Sequence, residues 1–302
     1  IFTPLRNPTK PGNLGWPEVN VNDAIQDSTF NIMLLEQLGL VNELISSTNG
    51  NLPMIRANYG SNILATLLGC QLHMMDRELN TLPGALPLAG GIPSIKKMMD
   101  KGMPRLDGGQ CHNVFECVAH FRNMLADYPK LQQMVRIYHP DFQGVLDIAE
   151  VLMGSEIFLA FYDDPAFIRE LLAFISEVYI AVVDKYFSLF PPANDDNFHY
   201  GWMHKGKIRI SLDSCVNFSP DDYREFILPF DKKLINRYGG IIHSCGKIDH
   251  FIGILPEIGE GYYGFNLSQY KLNNMETVYA STIDRDILIY NLDPDAAALS
   301  AG

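Results

Sequence analysis

The sequence is short of cysteine, of basic charge and of long apolar runs, and each shortage closes a class of function. Five cysteines (Cys70, Cys111, Cys117, Cys215 and Cys245) scattered over 302 residues do not make a disulfide scaffold; they point to a reducing, cytoplasmic setting. Lys and Arg number 23 against 35 Asp and Glu, for a net charge of -12. No basic stripe is visible, which argues against a nucleic-acid partner. The longest apolar stretch, LLAFISEVYIAVV, meets polar residues before the ~20 positions that a membrane span needs, so no membrane partner is expected. No secretory signal opens the chain, which starts at Ile1, so its true N-terminus is expected upstream. No G-x-G-x-x-G follows the first strand candidate, which leaves a dinucleotide fold without support. What remains, at 47% apolar and 19% charged, has the composition of an ordinary globular protein.

The pattern along the chain alternates helix and strand. Residues 1–22, rich in Pro, Gly and Asn, read as an irregular lead-in. Apolar residues Ile32, Leu35, Leu38 and Val41 then recur at helical spacing. LPMIRANYG reads as a strand and SNILATLLGC as a helix. Residues 80–110, rich in Pro and Gly, read as a long loop excursion, and residues 113–132 as a helix. MVRIYHPDFQG is strand then loop, and VLDIAEVLMG is a helix stopped by Gly154. A long helix starts at Asp163 or Asp164 with Pro165 in its first turn. KIRISLD is a strand, and Ser219-Pro220 opens a helix that Gly239 and Gly240 stop. GGIIHSCG, GYYGFNLSQ and ILIYNLD are further strands, with a helix over KIDHFIGILPEIG. Strands alternating with helices give a doubly wound sheet or a closed (β/α)8 TIM barrel, and the barrel is the better fit. The chain reads as one barrel domain over residues 1–302.

In such barrels chemistry sits at the C-terminal strand ends. Those ends carry His139 and Asp141, Asp213 and Cys215, His243 and Cys245, Asn266 and Ser268, and Asn291 and Asp293. His243 and Cys245 are two apart, so on a strand they face one side, and Gly246 lets the chain turn away. Imidazole and thiol at one point are half of a zinc site. Asp213 and Cys215 repeat the spacing one strand earlier. The bland alternative stands beside this: a lone His-x-Cys is a weak motif, free cysteines are often small core residues, and Cys215 next to Val216 suits packing. His139, Asp141 and Gln143 either hydrogen-bond a ligand at the mouth or form a polar turn. His199 and His204 read as structural, and so do Cys70, Cys111 and Cys117.

Several segments, in order, resemble the uroporphyrinogen decarboxylase superfamily. They are DFQGVLDIAEVLMG, FYDDPAFIRELL, SLDSCVNFSPDDYREFILPFDKKLINRYGGIIHSCGK and ILIYNLDPDAAAL. The resemblance spans roughly residues 20–300 and implies the TIM barrel. The Arg-rich N-terminal motif of the true decarboxylases has no counterpart in Leu5-Arg6-Asn7-Pro8. The chain is therefore more similar to the cobalamin-dependent methyltransferase branch. That branch implies methyl transfer from a methylcorrinoid on a small corrinoid protein to a small-molecule thiol or tetrahydrofolate. The thiol-using members imply zinc on His243 and Cys245, with a third ligand from a distant Cys. The family runs longer at that end, so the last helix and strand are expected to be missing from the chain. Cys215 or Asp213 is then the substitute ligand, with Asp213 and His243 as the catalytic pair and His139, Asp141, Gln143, Asn266 and Asn291 as substrate contacts. Porphyrinogen decarboxylation and a non-catalytic tetrapyrrole or corrinoid carrier are the alternatives. The oligomeric state is open, a homodimer included.

Overall fold

The chain folds as alternating helices and short, mostly parallel strands, and the computed structural model describes residues 14–46, 52–290 and 292. The lead-in docks through Trp16, whose indole N–H donates to the Leu35 carbonyl at 2.9 Å. Helices α1 (Val21–Gln26) and α2 (Asn31–Ser46) follow, then β1 (Met54–Ile55) and α3 (Ile63–Leu67). A hairpin of β2 (Gln71–His73) and β3 (Gly84–Leu86) leads to α4 (Gly91–Asp100), α5 (Gly109–Ala126) and α6 (Pro129–Met134). Next come β4 (Arg136–Ile137), α7 (Val145–Met153), α8 (Glu156–Asp163) and the long α9 (Pro165–Leu189). A second hairpin, β5 (Asp196–His199) with β6 (Trp202–Lys205), precedes β7 (Ile208–Ser211), α10 (Pro220–Asp222), α11 (Leu228–Tyr238) and β8 (Gly240–Ser244). The chain continues through β9 (Tyr262–Leu267), α12 (Met275–Ser281) and β10 (Leu288–Tyr290).

The main sheet is parallel, in the order β10-β9-β8-β7, and β1 pairs with β4, also in parallel. Its register puts Ser211, His243, Asn266 and Tyr290 in one row across four strands. Among the described residues the strands do not close into a barrel. The reason is visible locally. β1 and β4 are two residues long, and the segment between α9 and β7 forms an antiparallel hairpin rather than a further parallel strand.

Local sequence explains most elements. Asp164 caps α9 by accepting from the Phe167 amide, with Pro165 in the first turn. Ser219 and Asp222 form a reciprocal capping box at α10. Between α10 and α11 a single π turn, Tyr223–Ile227, absorbs Pro229, whose missing N–H would otherwise break the ladder. The stretch read as a loop over residues 80–110 contains α4. Ile92, Ile95, Met98 and Met99 face the core at helical spacing there, and the flanking Gly and Pro had hidden that period. KIDHFIGILPEIG forms a 3-10 turn over Ile252–Ile258, with Pro256 inside it. α7 and α9 are the central pillars: Ile148, Leu152, Leu171, Leu172, Val178 and Val182 are fully buried. Each such side chain contributes on the order of 1.5–3 kcal/mol. No described helix is long and apolar enough to cross a membrane.

Candidate metal centre

Two adjacent parallel strands deliver the site. β7 ends at Ser211, and the chain passes through Leu212 to Asp213 before a 3-10 turn over Ser214–Asn217. β8 carries buried His243 near its end, and Cys245 follows the strand. At the turn, Gly246 adopts φ 84°, a conformation that L side chains rarely take.

The Cys245 Sγ lies 3.4 Å from His243 Nε2, and Asp213 Oδ1 lies 3.5 Å from the same nitrogen. All three ligand atoms fall within 4.8 Å of one another. Two ligands on a tetrahedral zinc, each about 2.0–2.3 Å from the ion, stand about 3.3–3.8 Å apart. The two measured separations match that edge. The donor set of carboxylate, imidazole and thiol suits zinc and leaves a fourth position for a substrate atom.

The surroundings hold the imidazole in the form a metal needs, whereas the thiol must give up its proton when a metal binds. Asn266 Oδ1 sits 2.7 Å from His243 Nδ1, and a carboxamide oxygen there requires the proton on Nδ1. That tautomer turns the Nε2 lone pair towards Asp213 and Cys245. Burial, reinforced by the Arg209 charge, pushes His243 down to about 4, so the imidazole is neutral near neutral pH. Burial, and then the Asp213 carboxylate, push the Cys245 thiol above its ordinary value. The Cys245 amide donates to Asp213 Oδ1 at 2.7 Å, tying the two strand exits together. Behind them, Asp147 of α7 accepts from the Asp213 and Ser214 amides at 3.2 and 2.9 Å. Burial, with the Asp213 charge second, raises the Asp147 carboxyl to about 8.

A cleft of about 610 Å³ opens beside the cluster, reaching Asp213, His243, Asp141, Gln143, Arg56 and Arg209. Arg209 Nη1 donates to Asp141 Oδ2 at 3.3 Å and to Ser211 Oγ at 3.1 Å. Burial would raise the Asp141 carboxyl, but the charges of Arg209 and Arg56 outweigh it and hold Asp141 below the usual range. Arg56 packs on the Tyr200 ring at 4.8 Å and donates to its hydroxyl at 2.8 Å. Buried Arg56 Nη1 and Arg209 Nε have no hydrogen-bond partner among the described residues.

The structure sorts the residues singled out from the sequence. Asp213, His243 and Cys245 converge, Asn266 orients the imidazole, and Ser268 Oγ lies 3.5 Å from His243 Nδ1. Asp141 and Gln143 line the adjoining cleft, and Gln143 adopts φ 64° while its amide donates to Asp141 Oδ1. Cys215 is not a ligand in this arrangement: its thiol is buried within the 3-10 turn and burial pushes it far up, as a core residue. His139 points elsewhere. It stacks on Phe142 and lines a separate cavity with Tyr186, Phe187 and Phe190. Asn291 and Asp293 lie outside the described residues. His199 and His204 are buried in the β5–β6 hairpin, and burial lowers both. All five cysteines are free. Arg56, Arg209, Tyr200 and Asp147 were not visible as site residues, although Arg209 inside the apolar strand KIRIS is an anomaly that could have flagged one of them.

No protein-family model and no curated sequence matches this chain. Among solved structures the fold is similar to a methyltransferase from Methanosarcina mazei, with a TM-score of 0.61 and 18% identity over 86% of this chain and 69% of that one. At that identity the likeness establishes a shared mixed α/β fold with parallel strands.

Proposed function

We propose that the chain is a corrinoid-dependent methyltransferase of the uroporphyrinogen decarboxylase superfamily, moving a methyl group from a methylcorrinoid to a thiol. The reading takes the parallel strands as part of a (β/α)8 barrel, in keeping with the likeness to the Methanosarcina mazei methyltransferase. The observation that carries it is the spacing of Asp213 Oδ1, His243 Nε2 and Cys245 Sγ.

Asp213, His243 and Cys245 would hold zinc. When bound, zinc supplies Lewis acidity that keeps an acceptor thiol ionised at neutral pH, where a free thiol of pKa about 8.5 is mostly protonated. The residues themselves do the rest. Asn266 fixes the imidazole tautomer, the Cys245 amide fixes the Asp213 carboxylate, and the adjoining cleft admits the acceptor while Arg209 and Arg56 line its wall. The acceptor sulfur takes the methyl carbon, the carbon–cobalt bond breaks with its electron pair left on the corrinoid, and the thiol proton leaves to water. A small corrinoid protein is the partner this chemistry asks for.

The test joins metal content to turnover. Purified protein should carry about one zinc per chain, as a three-ligand site does, and Cys245→Ala should lose it. With methylcobalamin and a small thiol, the parent should form the methyl thioether, read by mass spectrometry, and Cys245→Ala should not. Methyl transfer to a thiol by zinc-free protein at the parent rate would sink the zinc reading. Transfer to tetrahydrofolate alone would replace the acceptor. Consumption of uroporphyrinogen without methyl transfer would replace the reaction.

A further inference from the structure

The group that prepares the cluster lies on a helix outside it. Asp147 sits in the first turn of α7 and is 5% exposed. Its two oxygens each accept a backbone N–H from the β7 exit: Oδ2 from Asp213 and Oδ1 from Ser214. Those amides open a 3-10 turn and find no partner within it, and the two carboxyl oxygens of Asp147 take one each. Glu150, one turn further along the same helix face, accepts from the Ser214 hydroxyl. α7 is pressed onto β7 at its start, because Gly144 leaves no room: a Cβ there would stand 2.0 Å from the Ser211 carbonyl oxygen. Asp213 then passes the constraint on, since its own Oδ1 accepts from the Cys245 amide.

We infer that Asp147 is the positioning residue of the metal centre, a clamp from α7 that fixes the backbone of Asp213 and, through it, the turn that presents Cys245. Asp147 touches neither substrate nor metal and acts only through Asp213. The inference rests on the metal reading proposed above. The geometry makes the clamp specific: a side-chain amide at this position offers one acceptor where two donors point, so one of the Asp213 and Ser214 amides must face an NH2 group.

The experiment measures zinc affinity by competition with a chromophoric chelator on the full chain, together with the absorption spectrum of the Co²⁺-loaded protein. Asp147→Asn should bind zinc about 10–100-fold more weakly than the parent, the range seen when a partner behind a metal ligand is lost. Its Co²⁺ ligand-field bands should shift while the thiolate charge-transfer band stays, because Cys245 remains and Asp213 is misplaced. Glu150→Gln, which keeps an acceptor for the Ser214 hydroxyl, should bind zinc as the parent does. If Asp147→Asn does not fold by circular dichroism, Asp147→Ala, which removes both acceptors without bringing in an amide, takes its place with the same expectation. Unchanged affinity and an unchanged Co²⁺ spectrum in a folded Asp147 variant would overturn the clamp while leaving the metal reading intact. A parent protein that takes up no zinc would overturn both.

Discussion

Asp231 gives a sharp physical test of the fold around α11. Its carboxyl is fully buried; Oδ2 accepts from the Tyr223 hydroxyl at 2.9 Å, and Oδ1 has no partner among the described residues. Burial pushes the group up to about 7, and the Tyr223 hydrogen bond offsets only part of that. In the unfolded chain an aspartate titrates near about 3.9. Between those values the folded protein holds a proton that the unfolded chain releases, so stability falls as pH rises through that window. The slope is up to about 1.4 kcal/mol per pH unit, or about 3 kcal/mol between about pH 5 and the end of the titration. Asp231→Asn is neutral throughout and keeps an acceptor for Tyr223, but places an amide where a bare oxygen stood, at a pH-independent cost of about 1–3 kcal/mol. The variant should therefore equal or trail the parent at about pH 5 and gain about 3 kcal/mol relative to it by about pH 8. Urea unfolding curves at both pH values, followed by tryptophan fluorescence, measure this difference. Asp147, also raised by burial, titrates in both proteins and cancels in the comparison. A parent–variant gap that does not move between the two pH values would refute a buried, protonated Asp231.

Three further outcomes follow from contacts in the site. Arg209→Met leaves Asp141 buried without its main partner and should cost about 3–5 kcal/mol by thermal denaturation; the double change with Asp141→Leu should recover much of that, and a double variant as poor as the sum of both singles would contradict the pairing. Gly144→Ala drives a methyl group into the Ser211 carbonyl and should destabilise the fold by about 3 kcal/mol, measured by chemical denaturation. Asn266→Leu removes the acceptor from His243 Nδ1 and should weaken zinc binding about 10–100-fold in chelator competition.

How much of this was legible depended on whether a signal was local. Helix starts and stops were legible because caps act within four residues: Asp164-Pro165, Ser219-Pro220 and Gly154 all fall where the chain says they should. Strand identity was legible from β-branched pairs in KIRISLD and GGIIHSCG and from the aromatic residues in GYYGFNLSQ. Closure was not, because it depends on long-range register, and two-residue strands such as β1 and β4 leave almost no local trace. Helix α4 was hidden for a different reason: Gly90 and Gly91, both at positive φ, and Pro93 mask four inward-facing apolar residues.

The same division runs through the site and explains which candidates met. His243 and Cys245 share a strand end, so their spacing of two was enough to bring them together. Asp213 joins them because β7 and β8 are hydrogen-bonded neighbours with Ser211 opposite His243, a fact of register that the sequence suggested only by repeating the polar strand end. Cys215 stands outside that group by the same logic. Two residues beyond Asp213 the chain has left extended geometry for a 3-10 turn, so the period of two no longer applies and the thiol rotates into the core. His139 lies apart because its ring turns into a cavity lined by α9, away from the cleft that Asp141 reaches two residues later. Arg56, Arg209 and Asp147 act through tertiary pairing alone. A buried charge can be recognised in sequence as an anomaly in an apolar segment, but its partner is fixed only when helix and strand are packed together, and at Asp147 that packing depends on the missing side chain of Gly144.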